Sequence, residues 1–153
     1  MFNRIEVMKR EENLEGRKIL HIDTDPLPDT VVVQLKIERM ECMADLPSLE
    51  GFPEKSLLLY MEEHGVDVTI IHPEIYEEWI NQIQEVIDAK KKIILIKGDG
   101  RVRKGYDEIF ERWKKDGVPI IEKPITSLNT LICPDKNFNK KLFDVLCELF
   151  PPE

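Results

Sequence analysis

The sequence predicts an α/β domain: a three-layer sandwich with a mainly parallel sheet, Rossmann-like or flavodoxin-like, extended by an amino-terminal antiparallel β-hairpin. Three observations lead there. The runs VDVTII (66–71) and KIILI (92–96) are short and β-branched, without polar alternation, as suits strands covered on both faces. Stretches of helical periodicity lie between such runs, giving the alternation that builds a parallel sheet. Finally, the layout of EEHGVDVTIIHPE (62–74) returns in KKDGVPIIEKP (114–124): a charged helix end, Gly, Val, a short apolar strand, then X-Pro. Glycine releases the helix and the residue before proline is driven out of the helical region, so each unit is a helix-to-strand passage. Two such units imply a βαβαβ core with right-handed crossovers.

From the amino end, residues 1–45 read differently from the rest. RKILHIDTD (17–25) and TVVVQLKIE (30–38) flank PLPD, and Val31, Val33, Leu35 and Ile37 alternate with Val32, Gln34, Lys36 and Glu38. Alternation of that kind predicts a half-exposed strand, hence a hairpin or meander, with FNRIEVM as a third strand. Residues 38–52 show no period and read as loop. The alternating α/β portion spans 53–150, and one domain spans 1–153.

Within that portion, residues 54–64 form a helix, with Pro53 at its start and Gly65 as its left-handed stop. In 74–89, Ile75, Trp79, Ile80, Ile83, Val86 and Ile87 recur at helical spacing and predict one buried stripe. Tyr106, Ile109, Phe110 and Trp113 mark another helix, ended by Gly117. VPII (118–121) and TLIC (130–133) are strands. The last helix is capped by Asp135 or Asn137, turns Leu142, Phe143, Leu146, Leu149 and Phe150 inward, and ends at Pro151 and Pro152. Trp79 and Trp113 lie on inward stripes and belong to the core.

Composition narrows the function classes. A chain of 153 residues, 42% hydrophobic and 34% charged, can bury a sizeable core without staples. The abundance of Lys and Glu matches a heat-adapted composition. A net charge of −8 argues against general affinity for nucleic acid or anionic membrane. The three cysteines, Cys42, Cys133 and Cys147, form no CxxC motif and cannot all pair, which points to reduced thiols. No secretory leader and no apolar run near 20 residues is present, so a cytoplasmic location is expected.

One passage looks chemical: IILIKGDGRVRKG (93–105). Gly98 and Gly100 flank Asp99 between a central strand and a helix, where free backbone N–H groups and the positive end of the helix dipole favour a phosphate. Lys97, Arg101, Arg103 and Lys104 give 97–104 a local charge of +3. Lys90, Lys91 and Lys92 are at the opposite end of the strand, about 16 Å away at 3.3 Å per residue. The motif is incomplete. No Ser or Thr follows for Mg²⁺, and Arg103 stands where G-x-G-x-x-G needs its third glycine. The same residues therefore fit a tight βα turn with Asp99 as helix cap.

Ligands in open α/β sheets gather at the carboxyl ends of strands. That rim would hold His72-Pro73-Glu74, the 97–104 loop and Glu122-Lys123-Pro124. His72 and Glu122 are the candidate acid–base groups, and Lys123 joins Lys97, Gly98, Asp99, Gly100, Arg101, Arg103 and Lys104 as a ligand contact. Against these stand plain structural roles, a polar strand exit for His72 and solvated carboxylates for Glu74 and Glu122. Cys133 could be a nucleophile near a helix start but equally fits packing, as Cys147 does. Cys42, His21 and His64 lack metal-ligand spacing. DTDPLPD (23–29) lacks the glycine and distal glutamate of a calcium loop and reads as a rigid turn.

Two functions are compatible with this. One is a small-molecule-binding protein acting at the rim on a phosphorylated or carboxylated metabolite, with no cofactor identified by any motif. The other is a non-catalytic assembly or regulatory subunit. An exposed hairpin edge would need pairing under either, so a homodimer through it is expected.

Overall fold

The computed structural model describes residues 14–22, 35–45, 56–73, 79–98, 106–123 and 136–151. Its elements are β1 (Lys18–Ile22), β2 (Glu41–Asp45), α1 (Leu57–His64), β3 (Val68–Ile71), α2 (Trp79–Asp88), β4 (Lys92–Gly98), α3 (Tyr106–Lys115), β5 (Ile120–Lys123) and α4 (Lys136–Leu149). The strands form one five-stranded sheet in the order β2-β1-β3-β4-β5, and every neighbouring pair is parallel.

Strand composition explains the order. Val68–Ile71 of β3 and residues 93–96 of β4 are wholly buried, as strands between two layers must be. One face of the sheet presents Leu20, Ile22, Ile71, Ile93 and Leu95 to α1, α2 and α3, through Leu57, Met61, Trp79, Ile83, Val86, Phe110 and Trp113. The other presents Ile19, Val68, Ile70, Ile94, Ile96 and Ile121 to α4, through Phe138, Leu142 and Leu146, and to Leu14, Leu35 and Met40. This division follows from crossover handedness. The path from β1 to β2 runs in the opposite direction to the steps from β2 to β3, β3 to β4 and β4 to β5. Right-handed connections then put the helical residues 35–37 on one face and α1 to α3 on the other.

Helix ends are built alike. Ser56 accepts a bond from the Leu59 N–H (3.1 Å) and caps α1, so this helix starts after Ser56, not at Pro53. Its carboxyl end closes at Gly65 with φ +63°, and α3 closes at Gly117 with φ +86°. At α3 the Val118 N–H reaches Trp113 O and the Gly117 N–H reaches Lys114 O, the paired bonds of a Schellman motif. The end of α2 repeats this with Lys91 to Val86 and Lys90 to Ile87, although Lys90, at φ +60°, is not glycine.

The antiparallel hairpin expected from 17–25 and 30–38 is corrected: β1 has parallel neighbours on both sides, β2 and β3. Residues 35–37 are helical, and the Met40 N–H to Leu35 O and Arg39 N–H to Lys36 O bonds close that helix with Arg39 at φ +57°. Leu35 is 3% exposed and Ile37 66%. Two positions apart on a strand they would share a face; on a helix they point nearly opposite ways. The partner of β1 is instead β2, running parallel, with Lys18 beside Glu41 and Ile19 beside Cys42. Residues 41–45, read as loop, are thus an edge strand, and the hairpin-edge homodimer loses the element it was drawn on. FNRIEVM, TLIC and Asp135 lie outside the described residues.

Candidate functional site

Because all the strands run the same way, their carboxyl ends share one rim. His72 follows the last residue of β3, Lys97 and Gly98 end β4, and Glu122 and Lys123 end β5. Register fixes them further: Lys97 stands beside Glu122, and Gly98 beside Lys123. The three predicted corners are therefore together. Asp99, Gly100, Arg101, Arg103 and Lys104 lie outside the described residues, as do Glu74 and Cys133.

Lys97 and Gly98 are strand residues, not loop residues. The expected strand of 92–96 runs on to Gly98 and stays paired with β5. Lys97, two residues after Leu95, lies on the same face of the strand, so it faces α3. There its Nζ is 3.6 Å from Asp107 Oδ1 and 5.8 Å from the centre of the Phe110 ring, with 26% of the side chain exposed. An aromatic face and a carboxylate thus hold the ammonium at the mouth of a cleft between α3 and β5. That cavity, about 300 Å³, is lined by Lys97, Phe110, Glu111, Lys114, Ile120 and Glu122, with Val118 at its lower end. Two ammonium and two carboxylate groups on an apolar floor make it amphoteric. Glu122 is exposed, as a solvated acid would be.

His72 occupies a special position. The strand order reverses between β1 and β3, and such a reversal is the topological switch point where doubly wound sheets hold ligands. The His72 N–H donates to Ile22 O (3.0 Å), tying the exits of β3 and β1 across the reversal. The half-buried His72 and the buried Pro73 therefore sit at this switch point. Sequence pattern points to His72 but not to the reversal, because residues 41–45 show no strand period. Without β2 on the far side of β1, no reversal exists. Asp23, next in sequence after Ile22, lies outside the described residues.

Among the described residues no group of three His, Cys, Asp or Glu side chains could hold a metal ion, and no helix is long and apolar enough to cross a membrane. Cys147 is half-buried on α4. His21 is 3% exposed in β1, a core position.

The strand order and the parallel pairing define the class: a flavodoxin-like, doubly wound α/β fold. No family model matches the chain, and no curated protein matches it. Among solved structures the chain is similar to a response regulator from Colwellia psychrerythraea, at 17% sequence identity and a TM-score of 0.43. The alignment spans 90% of this chain and 98% of that one. Overlap at this level carries no functional information, and the fold stands on the strand pairings.

Proposed function

We propose that the protein binds a small anionic ligand, a phosphorylated or carboxylated metabolite, at the carboxyl-end rim. The observation that carries this reading is the parallel register, which brings His72, Lys97 and the Glu122–Lys123 exit to one end of the sheet. His72 at the strand-order reversal supplies an imidazole donor. Lys97 supplies a cation already desolvated on one side by Phe110. Residues 99–104, which follow β4 in sequence, would add Asp99, Gly100, Arg101, Arg103 and Lys104 to the ligand set. Glu122 and Lys123 act as the acid–base and anion contacts of the far corner.

A thermal unfolding series with inorganic phosphate, a phosphomonoester and a dicarboxylate tests the reading. A ligand at a hundred times its dissociation constant stabilises by about 2.7 kcal/mol. At least one anion is expected to raise the midpoint well beyond the effect of chloride at matched ionic strength. The increment should fall away in Lys97→Ala and in Arg101→Ala. Equal midpoints for every anion overturn the proposal.

A further inference from the structure

The opposite end of the sheet carries a second cation-lined hollow. Two adjoining cavities, about 490 and 480 Å³, share Lys90, Lys91, Lys92 and Leu149 in their walls. One continues to Gly117 and Asp116 at the end of α3. The other continues to Arg17, Asp67 and Phe150. From these features we infer that the amino-end hollow is a binding site for a phosphate-bearing ligand, separate from the carboxyl-end rim.

Charge and geometry carry the inference. Arg17 lies 4.6 Å and Lys92 5.4 Å from the centre of the Phe150 ring, so two cations are held against one buried aromatic face. Three carboxylates, Asp67, Asp88 and Asp116, also line the hollow, and two of them are engaged. Asp67 accepts from the Lys18 N–H (2.7 Å) and from Arg17 Nη1 (3.5 Å), and Asp88 accepts from Gln84 Nε2 (3.0 Å). Lys90, Lys91 and Lys92 have no carboxylate within 4.0 Å among the described residues. All three line the hollow, in a protein whose net charge is −8.

Lys90 adds an independent sign. It adopts φ +60° at the same motif position that Gly117 fills at the end of α3. Glycine is the unstrained residue there, so a lysine is held at a conformational cost. Arg39, the other non-glycine residue at positive φ among those described, is paired with Glu15 at 3.0 Å; Lys90 has no such partner. A cation kept in a strained backbone position beside a cavity marks a place where charge is used.

The test is a titration of the ¹⁵N-labelled full chain with inorganic phosphate and with pyrophosphate, read from backbone amide shifts. Saturable shifts are expected at Val66, Lys91 and Gly117. In a Lys90→Gln, Lys91→Gln double variant, whose replaced side chains are exposed, those amides should saturate at about tenfold higher ligand. A well-dispersed spectrum of that variant establishes its fold. Absence of shifts at this end, equal shifts with chloride at matched ionic strength, or an unchanged midpoint in the variant each overturn the inference. Shifts confined to Lys97 and Gly98 would overturn it while supporting the rim site, so the two sites fail separately.

Discussion

Gln82 and Gln84 show how single polar side chains tie this structure together. Gln82 Oε1 accepts from the Leu57 N–H at the start of α1 (2.8 Å), and Gln84 Oε1 accepts from Trp113 Nε1 in α3 (2.9 Å). One helix, α2, thereby anchors both neighbours. Trp113 is fully buried, so Gln84→Ala strands an indole N–H, an expected loss of about 1–3 kcal/mol in urea unfolding. Thr69 is the converse case. Its hydroxyl is buried without a hydrogen-bond partner among the described residues, between Leu20 and Ile93 on the face covered by α1 and α2. Thr69→Val keeps the shape and removes the desolvated oxygen, so stability should rise by about 1 kcal/mol. A fall in the urea midpoint would mean that the hydroxyl finds a partner.

Among elements, the helix ends invite a paired comparison. Gly117 and Lys90 occupy the same position of the same motif, closing α3 and α2. A Cβ at Gly117 would meet nothing within 4 Å, so Gly117→Ala tests backbone conformation alone and should cost about 1 kcal/mol. Lys90→Gly reverses the substitution and should gain about 0.5–1 kcal/mol. Opposite signs in denaturant midpoints are the expected result. Two changes of the same sign would show that contacts, not φ, decide these ends. The strands obey a different logic. Residues 93–96 are buried by layers on both sides, so their apolar run was recognisable as a central strand from composition alone. Edge strand β2, ECMAD, has acids at both ends and no β-branched residue, so it has no such signature.

For the molecule as a whole, the dominant electrostatic fact is the charge of −8, which opposes compaction. Raising ionic strength from about 10 mM to about 150 mM shortens the Debye length from about 30 Å to about 8 Å and screens that repulsion. The urea midpoint should therefore rise with sodium chloride at constant slope. Exposed pairs such as Arg39–Glu15 contribute little and do not reverse the trend. A falling midpoint would show that attractive pairs outweigh the net charge. Against this acidic background, cations gather at both ends of the sheet, at Lys97 on one rim and at Lys90–Lys92 on the other.

Much of the architecture was legible because it rests on local rules. The helical spacing of Trp79, Ile83 and Val86, the glycine stops at Gly65 and Gly117 and the β-branched runs of β3 and β4 each declare their structure within a few residues. Parallel strands also follow from the alternation of elements, which is why His72, Lys97 and Glu122 could be assigned to one rim before any coordinates.

What only the tertiary structure decided lies where local pattern is ambiguous. Val31, Val33, Leu35 and Ile37 alternate like a strand, yet 35–37 is helical, since the sheet face needs Leu35 buried and leaves Ile37 to solvent. The pairing of β2 with β1 depends on residues more than twenty positions apart, and on the space left beside β1 once β3 occupies its other side. From that long-range choice comes the strand-order reversal beside His72. Periodicity along a chain reports which side of an element is apolar; which neighbour covers that side is settled by packing alone.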